Sequence, residues 1–213
     1  MFGPEHYVPV LRWKRGEHKA LTRLEAPLKD VLTPLIEIPP DDFLPGDPGT
    51  AARIKERFPR LTAALELAMG HRSAFVDFSL LANSVVSLDV NPIQVFWDLL
   101  VGGGVTAIPV LHLGASDECR AAIRSVSRNT GETALRIGRA DLARPTIQDD
   151  ITTLLAAQRL DYDNTHLIVD DGLIAGKGSN FLYICGRVPE IRRLANVHGR
   201  GGFNSPRTSA TCQ

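Results

Sequence analysis

Several things that this sequence has little of narrow what it can be. It has no excess of charge: Lys plus Arg and Asp plus Glu each number 24, so no net field draws the whole molecule to nucleic acid or to an anionic membrane. Cysteine is scarce and odd in number, at Cys119, Cys185 and Cys212. Without paired or metal-type spacing these three give no disulfide framework and suit a reducing interior. No uninterrupted apolar run approaches the ~20 residues of a membrane helix. The opening MFGPEHYVPVLRWKRGE also lacks the charged-then-apolar order of a secretory leader. The expectation is a soluble, cytoplasmic chain with no membrane partner. The basic cluster of Arg192-Arg193 and His198–Arg200 has no interleaved aromatics, so it is weak evidence for nucleic-acid binding, and a nucleic-acid partner is not expected. No serine lies in a nucleophile-elbow sequence, which leaves a Ser-His-Asp arrangement without support.

What the chain does have is a repeated ending. Six short apolar runs close on a charged or imidazole residue: the run from Val8 to Trp13 on Lys14, Leu32–Ile36 on Glu37, Ala74–Val76 on Asp77, Ala107–Leu111 on His112, Thr133–Leu135 on Arg136, and His166–Val169 on Asp170. Most are separated by a stretch long enough for a helix and its loops, which is the pattern of β-α units and a parallel sheet. Helices are expected around Glu17–Leu24, over Thr50–Met69 with a break at Pro59, from the Asn91-Pro92 cap to Gly102-Gly103-Gly104, and over Ser116–Val126 and Thr146–Leu160. Pro39 to Gly49 reads as a stiff, polar loop, either a lid or a plain surface insertion. Gly-rich turns bracket Phe181–Leu194, and Ile191–Phe203 resembles the approach to a seventh strand. Trp13 and Trp97 fall at apolar spacings and are assigned to the core.

Residues two apart share a strand face. Ile108, Val110 and His112 therefore lie together, as do Thr33, Leu35 and Glu37, and Ile168 and Asp170. In a β/α barrel one face points inward and its last layer meets the mouth, where ligands bind. The expected fold is thus α/β, a parallel TIM-like (β/α) barrel rather than a doubly wound sheet. It would be incomplete, with six to seven strands, because 213 residues fall short of the ~250 typical of the full barrel. Residues 1–203 are taken as one domain and 204–213 as an irregular tail.

The candidate catalytic set is Lys14, Glu37, Asp77, His112, Arg136 and Asp170, converging on one polar pocket. Glu37, Asp77 and Asp170, with His112, are candidate ligands for a hard cation such as Mg²⁺ or Mn²⁺. Lys14 and Arg136 would then neutralise charge developing on a phosphoryl group, as in a metal-assisted phosphoester hydrolase. The competing reading of the same residues is a set of ion pairs, Lys14 with Glu37 and Arg136 with Asp170, that satisfies charge without chemistry. Glu17 and Lys177 are further candidate contacts to a small anionic or phosphate ligand. The Gly176-Lys177-Gly178-Ser179 segment departs from the P-loop pattern, because Gly178 stands where Ser or Thr would meet magnesium.

Two stretches carry a family resemblance. Tyr7-Val8-Pro9-Val10-Leu11-Arg12-Trp13-Lys14-Arg15-Gly16-Glu17-His18-Lys19-Ala20-Leu21, and then Leu32-Thr33-Pro34-Leu35-Ile36-Glu37-Ile38-Pro39-Pro40, resemble the start of the Beta protein family of phages, satellite phages and bacterial genomes. Phe75-Val76-Asp77 and His166-Leu167-Ile168-Val169-Asp170-Asp171-Gly172 are similar to later strands of that family. The resemblance implies a barrel-like β/α fold, a mobile-element setting, and motif positions at Lys14, Glu17, Glu37, Asp77 and Asp170. It also implies a possible protein partner, since some members relieve the toxicity of a co-encoded growth inhibitor in loci linked to phage defence. It lends no reaction to the chain. Family members continue with further β-α units, so the tail from Asn204 to Gln213, which has no hydrophobic pattern, is expected to mark a C-terminal truncation.

Overall fold

The computed structural model of the chain describes residues 6–39, 50–82, 91–173 and 180–187. In chain order the strands are β1 (Val10–Arg12), β2 (Leu35–Glu37), β3 (Ser73–Asp77), β4 (Thr106–His112), β5 (Thr133–Gly138), β6 (Thr165–Leu173) and β7 (Asn180–Arg187). Between them run the helices α1 (Arg15–Arg23), α2 (Ala26–Asp30), α3 (Thr50–Met69), α4 (Ser79–Ala82), α5 (Pro92–Gly103), α6 (Asp117–Thr130), α7 (Arg139–Leu142) and α8 (Ile147–Gln158). The strands join in the order of the sequence, β1 to β7, with no switch point. The first six are parallel and form a curled half-barrel flanked by helices.

The helices start and stop where local chemistry dictates. The Asn91 side chain accepts from the Ile93 N–H at 3.0 Å, Pro92 opens α5 with a nitrogen that needs no partner, and Gly104 ends it at φ 79°. Ser116 caps α6 by accepting from the Cys119 N–H, and Asp117 and Glu118 complement the dipole of its first turn. One expectation is corrected: α3 is continuous through Pro59. The proline removes one backbone donor, but the Thr62 hydroxyl donates to the Phe58 and Pro59 carbonyls at 3.1 Å. Ile54, Phe58, Leu65, Ala68 and Met69 are buried on both sides of it, so tertiary packing overrides the break.

Strand alternation sorts the core into two layers. Ile36, Val76, Leu111, Leu135, Ile137, Leu167 and Val169 face outward and pack with Leu21, Phe58, Phe96, Trp97, Ile123 and Leu155 from the helices. Leu35, Phe75, Ile108, Val110, Ala134 and Ile168 face inward with Val8 and Val10, and every member of this layer comes from the sheet or the approach to β1. Among the described residues helices therefore cover one face only, as in a barrel wall. The curl has a direct measure. The rings of Phe75 on β3 and His166 on β6 lie 5.5 Å apart, whereas three strand spacings in a flat sheet would separate them by roughly 14 Å. Pro109 marks the change of partner within β4: Thr106–Pro109 pair with β3 and Val110–His112 pair with β5. Both tryptophans are core residues, and the Trp13 indole N–H reaches the Leu61 carbonyl at 3.1 Å, which ties α3 to the end of β1.

A seventh strand was not expected before Ile191. It is β7, antiparallel to β6, with Ile168 opposite Ile184 and Asp170 opposite Leu182. The connection between them, 174–179, is too short for the crossover that a parallel strand requires. The stretch Ile191–Phe203 and the tail 204–213 lie outside the described residues, as does the Pro-rich loop 40–49.

Phe96 meets Phe58 and Phe78 edge-on, with centroids 5.0 and 5.3 Å apart. Phe96→Ala should cost ~3–5 kcal/mol. Val101→Ala, on the exposed side of the same helix, should stay within about 0.5 kcal/mol. Urea unfolding of both variants checks the layer assignment, and equal losses would refute it.

Candidate functional site

The inward face of each parallel strand ends in a polar side chain. Arg12, Glu37 and Asp77 are register partners across β1, β2 and β3. His112 and Arg136 are partners across β4 and β5, and Asp170 lies opposite Gly138 on β6. These residues follow Val10, Leu35, Phe75, Val110, Ala134 and Ile168 by two, so the alternation that buries the inner layer carries them to the carboxyl-end rim.

Arg136 stands at the centre. Its Nη1 donates to Glu37 Oε1 at 2.8 Å and to Asp77 Oδ2 at 2.6 Å. Its Nε and Nη2 both donate to Asp170 Oδ2, at 3.0 and 2.5 Å. One guanidinium thus joins carboxylates from three strands, which its planar fork of donors suits better than an ammonium would. Asp77 is fully buried. Its Oδ1 accepts from the Ser79 N–H at 2.8 Å, and His112 Nε2 lies 3.0 Å from both carboxylate oxygens. Arg12 approaches Glu37 Oε2 at 3.7 Å from a mostly exposed position, a loose ion pair of small energetic weight.

Burial by itself would raise the Asp77 carboxyl above its ordinary 3.8. The His112 hydrogen bond, the charges of His112 and Arg136, and the Ser79 N–H outweigh that and hold it at about 2. For Arg136 burial pulls downward, but the Asp77 charge and the bonds to Asp170, Glu37 and Asp77 raise its pKa above the usual arginine value. Both groups remain ionised at neutral pH.

Glu37, Asp77, His112, Arg136 and Asp170 therefore meet in one network. Lys14 is not part of it. It follows β1, caps α1 with an extended backbone, and is exposed. The rim position of β1 belongs instead to Arg12, which shares parity with Val8 and Val10, and Arg12 rather than Lys14 pairs with Glu37. Lys14 has the same parity; what separates the two is that β1 ends at Arg12 and Lys14 already caps α1. Glu17 sits half-buried in the first turn of α1, and Lys177 lies outside the described residues. Among the described residues no three His, Cys, Asp or Glu side chains are disposed to hold a cation. The guanidinium of Arg136 bonds to Glu37, Asp77 and Asp170 together, so their shared counter-charge is already supplied by the protein.

Removing Arg136 would strand buried negative charge. Arg136→Met should lower stability at neutral pH by roughly 3–5 kcal/mol. The sign with pH follows from Asp77: its folded pKa is depressed from 3.8 to about 2, so its stabilisation is complete above 3.8 and is lost as pH falls through about 2. In the variant the carboxylates protonate at higher pH, so the gap from wild type should narrow on acidification. Urea titrations at neutral pH and at about pH 3 measure it, and a gap that stays constant or widens would count against the network.

Among the described residues no helix is long and apolar enough to cross a membrane. No curated protein and no solved structure matches the chain. The model of one family, the Beta protein, matches residues 7–184, which takes in all six parallel strands and every rim residue of the network. The chain belongs to the Beta protein family.

Proposed function

We propose that this protein is a phage- or prophage-borne interaction component of a toxin-linked defence locus, that it neutralises a co-encoded growth inhibitor in the cytoplasm, and that the polar rim of the half-barrel is its recognition surface. The mobile-element setting is supported by membership of the Beta protein family. The binding role is carried by one observation: the rim's carboxylates are gathered from three strands and fixed by Arg136. A satisfied polar network holds donors and acceptors in one geometry, and that preorganisation lowers the ordering cost of binding a partner protein or a small anionic group. Arg12, at the exposed margin, is the cation best placed to meet an anionic group of the partner. The same proposal treats the curled wall of six parallel strands as part of a TIM-like barrel, a reading supported by an inner layer that holds no helix among the described residues and by the position of the polar residues at the strand ends.

Co-expression with the neighbouring growth inhibitor tests it. The whole chain should restore growth. Arg12→Ala and Asp170→Ala, checked for folding by circular dichroism, should weaken capture of the inhibitor by about tenfold or more, the equivalent of ~1.4 kcal/mol of binding. Asp149→Ala, on α8 away from the rim, should protect like wild type. Failure of the wild-type chain to protect would remove the neutralising role. Full protection by both folded rim variants would remove the rim from it.

A further inference from the structure

One group at the rim has a chemical capacity that the ion-pair network does not consume. His112 closes β4, with its side chain 28% exposed, and directs Nε2 at the two oxygens of a carboxylate that is 0% exposed. Asp77 already accepts from Ser79 and Arg136, and the ionised carboxylate has no proton to donate. The hydrogen between the two side chains therefore belongs to Nε2, and in the neutral ring the lone pair belongs to Nδ1. Among the described residues none hydrogen-bonds to Nδ1. An imidazole oriented through one nitrogen by a buried carboxylate, with the other nitrogen accessible, is the arrangement of a general base and its orienting group.

Its register partner supplies the second element. Arg136 has five N–H groups. One on Nε, two on Nη1 and one on Nη2 are engaged by Asp170, Glu37 and Asp77, which leaves one Nη2 hydrogen without a partner among the described residues. A fixed donor beside a base is what an ester carbonyl requires as its oxygen takes up negative charge.

We propose that His112 is the general base of an esterase activity at this rim, accepting a proton from water at Nδ1, with Asp77 as its positioning residue and Arg136 as the donor to the developing oxyanion. The water oxygen bonds to the carbonyl carbon as its proton passes to Nδ1. The tetrahedral adduct then collapses, the ester C–O bond breaks, and its electron pair leaves with the alcohol or phenol oxygen. The acid product ionises, and Nδ1 returns its proton to solvent. No oxidant, reductant or metal enters the balance. This activity is independent of the neutralising role and is measured without the inhibitor.

The probe is p-nitrophenyl acetate with the whole chain. His112→Gln should reduce hydrolysis by about a hundredfold, the lower end of what a positioned base contributes. His71→Gln, at an exposed histidine remote from the rim, should leave it unchanged. Two measurements on the wild-type protein avoid dependence on variant folding. Nitrogen-15 NMR of the His112 ring should show hydrogen on Nε2 and none on Nδ1 in the neutral form. Diethyl pyrocarbonate should abolish hydrolysis in step with modification of the His112 peptide, and hydroxylamine should restore it. Wild-type hydrolysis no faster than that of His112→Gln, hydrogen on Nδ1 in the neutral ring, or modification of His112 without loss of rate would each overturn the proposal.

Discussion

The inward rim of the half-barrel depends on how one carboxylate keeps its charge out of water. Asp77 has no exposure, and a carboxylate so placed would ordinarily protonate rather than remain charged. It stays ionised because the Ser79 backbone, His112 and Arg136 all present hydrogens to it. Arg136 is held in turn by Glu37 and Asp170. Five strands are thereby committed to one arrangement, since moving any of them by a residue would turn its polar end to the helix side and break a bond of the network. The apolar inner layer below has no such directional demand. It supplies burial, while the rim supplies register.

The fold class was legible because two periodicities coincided. The period of two along Ile108-Val110-His112 and Leu35-Glu37 identified inward faces without any tertiary information, and the intervening helical stretches required parallel pairing. Capping chemistry placed the starts of α5 and α6 within a residue, while α6 runs four residues past the expected Val126. The sequence was less informative where a long-range contact decided the outcome. Pro59 is a helix breaker by local rules, yet Phe58, Thr62 and Leu65 hold α3 together by contacts that local rules do not include. The direction of β7 turned on the length of a connection that the Gly-rich composition left open.

At the rim, residue type was easier to read than partnership. Glu37, Asp77, His112, Arg136 and Asp170 were identifiable as strand-ending polar residues. Of their bonds the Arg136–Asp170 pair was anticipated, but the bonds of Arg136 to Glu37 and Asp77 were not, since a guanidinium among carboxylates and a metal among carboxylates draw on similar compositions. Lys14 reads as the polar end of the first run because it follows the last apolar residue, Trp13; Arg12 shares its parity, and the strand stops at Arg12. The error came from treating the end of hydrophobicity as the end of the strand. Trp13 faces the helices, so the run outlasts the inward face by one residue.

The bond from Arg136 to Glu37 links residues 99 positions apart, and this separation bears on the order in which the molecule assembles. Each adjacent pair of parallel strands closes a far shorter loop, so the wall can grow unit by unit from either end before the mouth exists. Loop-closure entropy delays contacts of long separation, which makes the charged rim a late-forming feature. Interactions absent from the folding transition state act mainly on the rate of unfolding. The network at the mouth is therefore a kinetic latch: it contributes little to how quickly the wall is built and much to how slowly it opens.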